Sequence, residues 1–273
     1  MKAKKTAYER LVDYGSMDPF KIEAQKAGKE TASALLRRGY REVPWSRGES
    51  CYLVSRHDRY YGHVEEGLGT KNRVVELYPP SQPSGYASIA EDTVAMITND
   101  MATLGVQPLS VAMHCAVGSS DWFKNKRNSD ALIRGWKHAC RRVGASWGCG
   151  ETPTLRDVVN HGSMVLSGSA WGEIYPMDHL MSPFAVCHGD TIVLFASSGI
   201  HANGLTLARE IANEHSDGYR ALIRQNDEHD YRRYGDELLR PTVLYSPIIP
   251  DCLRAGIALH NGVHISVHGC AKL

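Results

Sequence analysis

The chain has 273 residues and a formal net charge of +1, from 31 lysines and arginines against 30 aspartates and glutamates. That balance gives no electrostatic case for nucleic acid or an anionic membrane as a partner, and no apolar run approaches the roughly 18–20 residues of a membrane span. The seven cysteines (Cys51, Cys115, Cys140, Cys149, Cys187, Cys252 and Cys270) are odd in number and include no C-x-x-C pair. Such usage argues against a zinc site or a disulfide framework and for a reducing cytoplasm. The length suits one large domain or two medium ones. The basic N-terminus has no apolar stretch behind it and is not a secretory signal.

Residues 1–16 read as polar and weakly ordered. Asp18-Pro19 caps an expected helix to about Arg38, with Ile22, Ala27, Ala32, Leu35 and Leu36 marking its apolar positions. A loop around Pro44 and Gly48 precedes a strand beginning at Cys51–Val54. The next segment, Glu65-Glu66-Gly67-Leu68-Gly69-Thr70-Lys71, combines glycines that permit close backbone approach with a hydroxyl and an ammonium suited to phosphate. It lacks P-loop spacing, and a Gly-rich hairpin turn would look similar.

Ile89 to Leu104 reads as a helix closed by Gly105, with Val94, Ile97, Met101 and Leu104 on the core side. Asp92 and Asn99 fall on the opposite face, with Asp100 part-way round. Those carboxylates suit either Mg²⁺ or an ordinary solvated face. Leu109–Val117 reads as a strand. Ser129 opens a helix with Leu132, Ile133, Trp136, Ala139, Cys140 and Val143 on its core side. In Ser146–Pro153, two glycines precede Glu151 and let the backbone bring that carboxylate close to a ligand; Cys149 reads as packing. Ser163–Ala170 reads as a further strand, and the first domain ends near Tyr175.

Residues 176–190 read as a linker. Thr191–Ala196 is a continuous apolar run, the pattern of a strand buried on both faces. Leu205–His215 has helical periodicity through Leu205, Ala208, Ile211 and Ala212. Between them, Ser197–Gly204 (SSGIHANG) is a loop at a helix start, where free backbone N–H groups favour an anion. His201 and Asn203 add side chains beside it. Glu214–Arg233 reads as a charged, exposed insertion, Pro247–Leu259 as a helix, and Val263–His268 as a strand. His260, His264 and His268 lack a visible fourth ligand for zinc. This second unit looks shorter than a complete partner for the first, as a truncated domain would.

Four segments in order resemble the aminoimidazole ribonucleotide synthetase family, the phosphoribosylformylglycinamidine cyclo-ligases of purine biosynthesis. They are Glu66–Lys71, Asp92 through Asn99-Asp100, Cys149–Thr152 and Ser197–Gly204. Gly105–Leu109 and Leu239–Thr242 match the same style. The resemblance implies an α/β (α+β) protein of two domains. Residues 1–175 would be the ATP-binding and dimerisation domain, and residues 176–273 an incomplete C-terminal domain. It implies a cytoplasmic homodimer using ATP and Mg²⁺ on a small ribonucleotide substrate. Glu66, Asp92, Asp100 and Glu151 would hold the metal. Gly67, Gly69, Thr70, Lys71, Asn99, Ser198 and Gly199 would contact the nucleotide. Lys71, His201 and Asn203 would be catalytic, with His201 the proton-transfer residue. A small-molecule kinase of the wider superfamily and a non-catalytic nucleotide-binding module are the alternatives. The family usually has Asp where Glu66 stands, and an Asp with aromatic residues where Met113, His114 and Cys115 stand.

Overall fold

The computed structural model describes residues 12–78, 85–224 and 230–266. Its centre is a six-stranded sheet of β1 (Arg41–Glu42), β2 (Tyr52–Arg56), β3 (Arg59–Gly67), β4 (Gln107–Val117), β5 (Ser146–Glu151) and β6 (Met164–Ile174), in the order β1-β2-β3-β6-β4-β5. Every neighbouring pair is antiparallel except β4 and β5. Period-two alternation sets the two faces. In β6, Met164, Leu166, Gly168, Ala170, Gly172 and Ile174 are buried, while Val165 and Trp171 on the other face are exposed. In β3, Val64 is buried, Glu65 is exposed and Glu66 turns back toward the covered side.

Among the described residues, the helices packed on this sheet cover one of its faces. They are preceded by α1 (Tyr14–Thr31) and α2 (Lys71–Leu77); α3 (Gly85–Ala102) and α4 (Lys126–Arg142) then form the layer against the sheet. The core side expected for α3 holds: Val94, Ile97, Met101 and Leu104 are all buried. In α4, Leu132, Trp136, Ala139 and Cys140 are buried, while Ile133 faces solvent. Asn125, not Ser129, caps α4, its side chain accepting from the Asn128 N–H. Beyond the sheet come α5 (Leu205–Glu214), a small hairpin of β7 (Leu222–Arg224) and β8 (Tyr231–Arg233), α6 (Tyr234–Leu238) and α7 (Ile248–Arg254). Leu205, Ala208, Ala212, Tyr219, Leu238, Leu239 and Leu244 join the same apolar cluster as the sheet residues.

Four expectations change. Helix α1 starts from Asp13, whose side chain accepts from the Gly15 N–H, and it buries none of its residues. Its apolar positions therefore do not mark a core face. The polar face of α3 is not solvated, because Asp92 and Asn99 are both buried beneath residues 240–246. Thr191–Ala196 forms no strand; Ile192, Val193 and Leu194 are 77, 66 and 74 % exposed. An apolar run specifies a strand only when a neighbouring strand offers its hydrogen bonds, and none does so among the described residues. The helix after Pro247 stops at Arg254, and residues 261–265 are irregular. The end of the last expected strand, His268, lies outside the described residues, as does Cys270.

Candidate functional site

Gly69 turns the chain out of β3 with a left-handed backbone (φ +71°), a conformation glycine adopts without strain. The turn delivers Lys71 to the first position of α2, where it is 0 % exposed, as is Asp92 on α3. The Lys71 ammonium donates to Asp92 Oδ1 at 2.9 Å and sits 2.8 Å from Oδ2. It also donates to the His201 and Arg240 carbonyls, each at 2.9 Å. An ammonium has three N–H donors, and all three are thereby committed. Asp92 Oδ1 accepts further from the Thr242 N–H at 2.8 Å and the Thr242 hydroxyl at 2.6 Å. Burial pushes the Asp92 carboxyl up, while Lys71 and Thr242 pull it down. With an ammonium against both oxygens and two more donors on one of them, the ionised carboxylate is the form the geometry satisfies.

Two helical turns along α3, Asn99 makes a second clamp. Its amide donates to the Val243 carbonyl at 2.9 Å, and its oxygen accepts from the Tyr245 N–H at 2.9 Å and the Ser246 N–H at 3.3 Å. Asp92 and Asn99 thus bind one extended segment, residues 240–246, along the helix. This changes three expectations. Lys71 has no donor left for a phosphate. Asp92 is enclosed against Lys71 and is not placed to ligate a metal. Asn99 spends its amide on main chain rather than on a nucleotide.

The loop after Ala196 is tied to the same segment. Ser198 Oγ donates to the Pro241 carbonyl at 2.6 Å, and the Ser198 N–H donates to His201 Nε2 at 3.0 Å. His201 adopts φ +57°, a left-handed backbone that is uncommon for a residue with a side chain. Burial first, then the Lys71 and His264 charges, pushes the imidazole down from 6.5 to about 4. At neutral pH the ring is therefore uncharged, which places it as a hydrogen-bonding group rather than as a cation. Gly67, Gly69, Thr70 and Gly199 are exposed around this region.

Glu66, Met96, Asp100, Asn203, His264 and Ser266 line a small pocket of about 70 Å³. Burial and the neighbouring Asp100 charge push the Glu66 carboxyl above its ordinary range. His264 Nδ1 lies 2.6 Å from Asp100 Oδ1, and His260 pairs separately with Asp190 at 2.8 Å. Sequence reasoning grouped His264 with other histidines and so missed its pairing with Asp100. Glu151 is elsewhere. It stands on the open face of the sheet in a shallow depression of about 520 Å³, with Glu65, His114, Cys149 and Ser167 among its lining residues. Ser167 Oγ and His114 Nδ1 are 3.3 Å apart there. The four expected metal residues therefore do not converge: Glu66 and Asp100 share a pocket, Asp92 is sealed and Glu151 lies across the sheet. Among the described residues, no group of three or more His, Cys, Asp or Glu is arranged to hold a metal ion. No helix of the described residues is long and apolar enough to cross a membrane, and the six described cysteines are free.

A mixed sheet with helices on one face, and a His-Asn loop locked onto a Gly-Thr-Lys turn, define a protein of the AIR synthase-like fold. Residues 73–174 match the family described as AIR synthase related protein, N-terminal domain. The chain is 28% identical over 240 residues to phosphoribosylformylglycinamidine cyclo-ligase of Pyrococcus furiosus, covering 87% of this chain and 65% of that protein. It is 30% identical over 204 residues to the cyclo-ligase of Carboxydothermus hydrogenoformans, covering 75% of this chain and 55% of that one. The solved structure described as AaThiL complexed with AMPPCP and TMP shares the fold, with a TM-score of 0.54 at 12% identity over 92% of this chain and 65% of that one. The chain is thus similar in sequence to the aminoimidazole ribonucleotide synthetase family, with the match to the family's N-terminal domain falling on residues 73–174. It spans less than two thirds of the length of these curated relatives.

Two measurements test the geometry. Asp92→Ala strands the Lys71 charge in the interior and should cost about 3–5 kcal/mol of unfolding free energy in urea, whereas the double variant Lys71→Met/Asp92→Leu should recover most of it. A single-variant loss within about 1 kcal/mol, the range of an exposed pair, would contradict the enclosure. For His201, the unfolded chain takes up its proton first as pH falls. Its contribution is complete above 6.5 and is lost as pH falls toward about 4. His201→Gln should flatten the decline in stability across that window; an unchanged slope would show that the native ring titrates like the unfolded one.

Proposed function

We propose that the protein is an ATP-dependent cyclo-ligase of purine biosynthesis acting on formylglycinamidine ribonucleotide. ATP would phosphorylate the formyl amide oxygen. The amidine-side nitrogen would then attack that carbon, closing the imidazole ring and releasing ADP and phosphate. The observation that carries this reading is the joint between the Gly69–Lys71 turn and the Ser198–Gly204 loop through Lys71, Asp92 and Thr242. The Lys71 side chain, next in sequence to the exposed Thr70, reaches the His201 carbonyl, and Asn203 lines a pocket with Glu66, which supports the reading of one site shared by the two halves. The cyclo-ligase names of the relatives supply the substrate.

Phosphoryl transfer asks a protein mainly to position groups and to stabilise charge. The exposed Gly69 and Thr70 offer backbone amides and a hydroxyl for phosphate oxygens, whereas Leu68 is buried and its N–H donates to the Leu166 carbonyl. Asn203 and the uncharged His201 offer hydrogen bonds to the substrate end. Glu66 and Asp100 fit a divalent cation as a pair of adjacent carboxylates, the small protein share that Mg²⁺ commonly takes alongside phosphate ligands. When bound, Mg²⁺ would neutralise phosphate charge. Lys71, Asp92 and Asn99 hold the two halves in register.

Purified protein given Mg²⁺, ATP and formylglycinamidine ribonucleotide should release ADP and the closed imidazole ribonucleotide in equal amounts, and no ADP without the ribonucleotide. A phosphorylated, unclosed product would instead make the protein a small-molecule kinase. ATP binding with no turnover by the folded protein would reduce it to a nucleotide-binding module.

A further inference from the structure

His201 is held from two sides. Its main-chain carbonyl accepts from Lys71, and its ring Nε2 accepts from the Ser198 N–H. A backbone N–H can only donate, so Nε2 carries the lone pair and the proton of the neutral ring sits on Nδ1. Among the described residues Nδ1–H has no hydrogen-bond partner, and the side chain remains partly exposed. The left-handed backbone at His201 is a conformation that a residue with a side chain keeps only when its surroundings impose it. Those surroundings are few and specific. Lys71 grips the carbonyls of His201 and Arg240 together, and Ser198 Oγ reaches the Pro241 carbonyl next to the second of them. Asp92 fixes Lys71, and Thr242 fixes Asp92. The chain from α3 to the imidazole has no exposed member before the loop itself, because Lys71, Asp92 and Thr242 are all buried.

We propose that Lys71 is a positioning residue: its grip on the His201 and Arg240 carbonyls holds His201 as the Nδ1–H tautomer, aimed to donate a hydrogen bond to a ligand oxygen. The assignment deepens the cyclo-ligase reading, in which that oxygen belongs to the substrate or to the phosphoryl group in transfer. A donor so fixed stabilises developing negative charge and does not remove a proton. Lys71 acts through His201 and touches no ligand.

Long-range proton–nitrogen NMR on histidine-¹⁵N protein tests the positioning without any substrate, the His201 signals being identified by their loss in His201→Gln. The native ring should show a protonated Nδ1 and an unprotonated Nε2. In Lys71→Met the pattern should become a mixture of tautomers. Thr242→Val keeps the ion pair and removes one hydrogen bond to Asp92, so it should give a smaller change in the same sense and covers the case in which Lys71→Met does not fold. An Nε2–H tautomer in the native protein would overturn the proposal, as would an unchanged His201 signature in every folded variant. With turnover established, Thr242→Val should lower kcat, by at most the ~10²-fold typical of a lost charge-stabilising donor, and leave KM for ATP unchanged. Failure of the cyclo-ligase reading would remove this kinetic readout and leave the tautomer result standing.

Discussion

The structure turns on one enclosed ion pair. Lys71 lies at the start of α2 and Asp92 on α3, yet their hydrogen bonds reach His201, Arg240 and Thr242, far along the chain. Taking two charges out of water is costly, and an enclosed pair is tolerated when its geometry is good and further hydrogen bonds reach it. Here they reach the ammonium and Asp92 Oδ1, while Oδ2 has the ammonium charge beside it and no hydrogen bond among the described residues. That condition makes the pair specific. The ammonium's three donors meet three acceptors, on Asp92, His201 and Arg240, and displacing any of them leaves a buried donor unmatched. The second half of the site is therefore locked to the first by a requirement of satisfaction, which apolar packing alone would not impose with the same register.

Helix α3 is the element that carries this requirement. Its apolar side faces the sheet, and its other side presents Asp92 and, two turns on, Asn99 to residues 240–246. Thr93 and Thr98, also buried, satisfy their hydroxyls on carbonyls one turn back, at Ile89 and Val94. An α-helix with polar groups on a covered face is stable only if the covering segment brings complementary backbone groups. Residues 242–246 supply them, and the segment gains a fixed path in return. The Ser198–Gly204 loop then rests on that path through Pro241, and the imidazole of His201 rests on the loop.

Local sequence pattern was a good guide wherever an element's own neighbours settle its fate. The alternation of β6 and the apolar stripe of α3 could both be read directly, because each depends on a period that the backbone imposes. The polar face of α3 could not. Whether Asp92 meets water, a metal or a lysine depends on what covers it, and the cover arrives about 150 positions later in the chain. Lys71 misled for the same reason: beside Gly67, Gly69 and Thr70 it looks like a phosphate group's partner, and its burial comes from tertiary packing. The parity of β3 is decisive, since it sends Glu65 to the open face and Glu66 to the pocket with Asp100, but the Gly-rich segment at its end gave no strand reading from which to take it. Thr191–Ala196 shows the opposite limit, because hydrophobicity marks a segment suited to a ladder without providing the partner strand.

Chemical labelling of lysines in the folded protein, read by mass spectrometry with and without Mg²⁺–ATP, tests the central claim most directly. The account predicts that Lys71 resists labelling to the same extent in both conditions, because its ammonium is enclosed by Asp92, His201 and Arg240 whether or not nucleotide is bound. Rapid labelling of Lys71 in the free protein, with protection once Mg²⁺–ATP is added, would contradict it and return Lys71 to the phosphates.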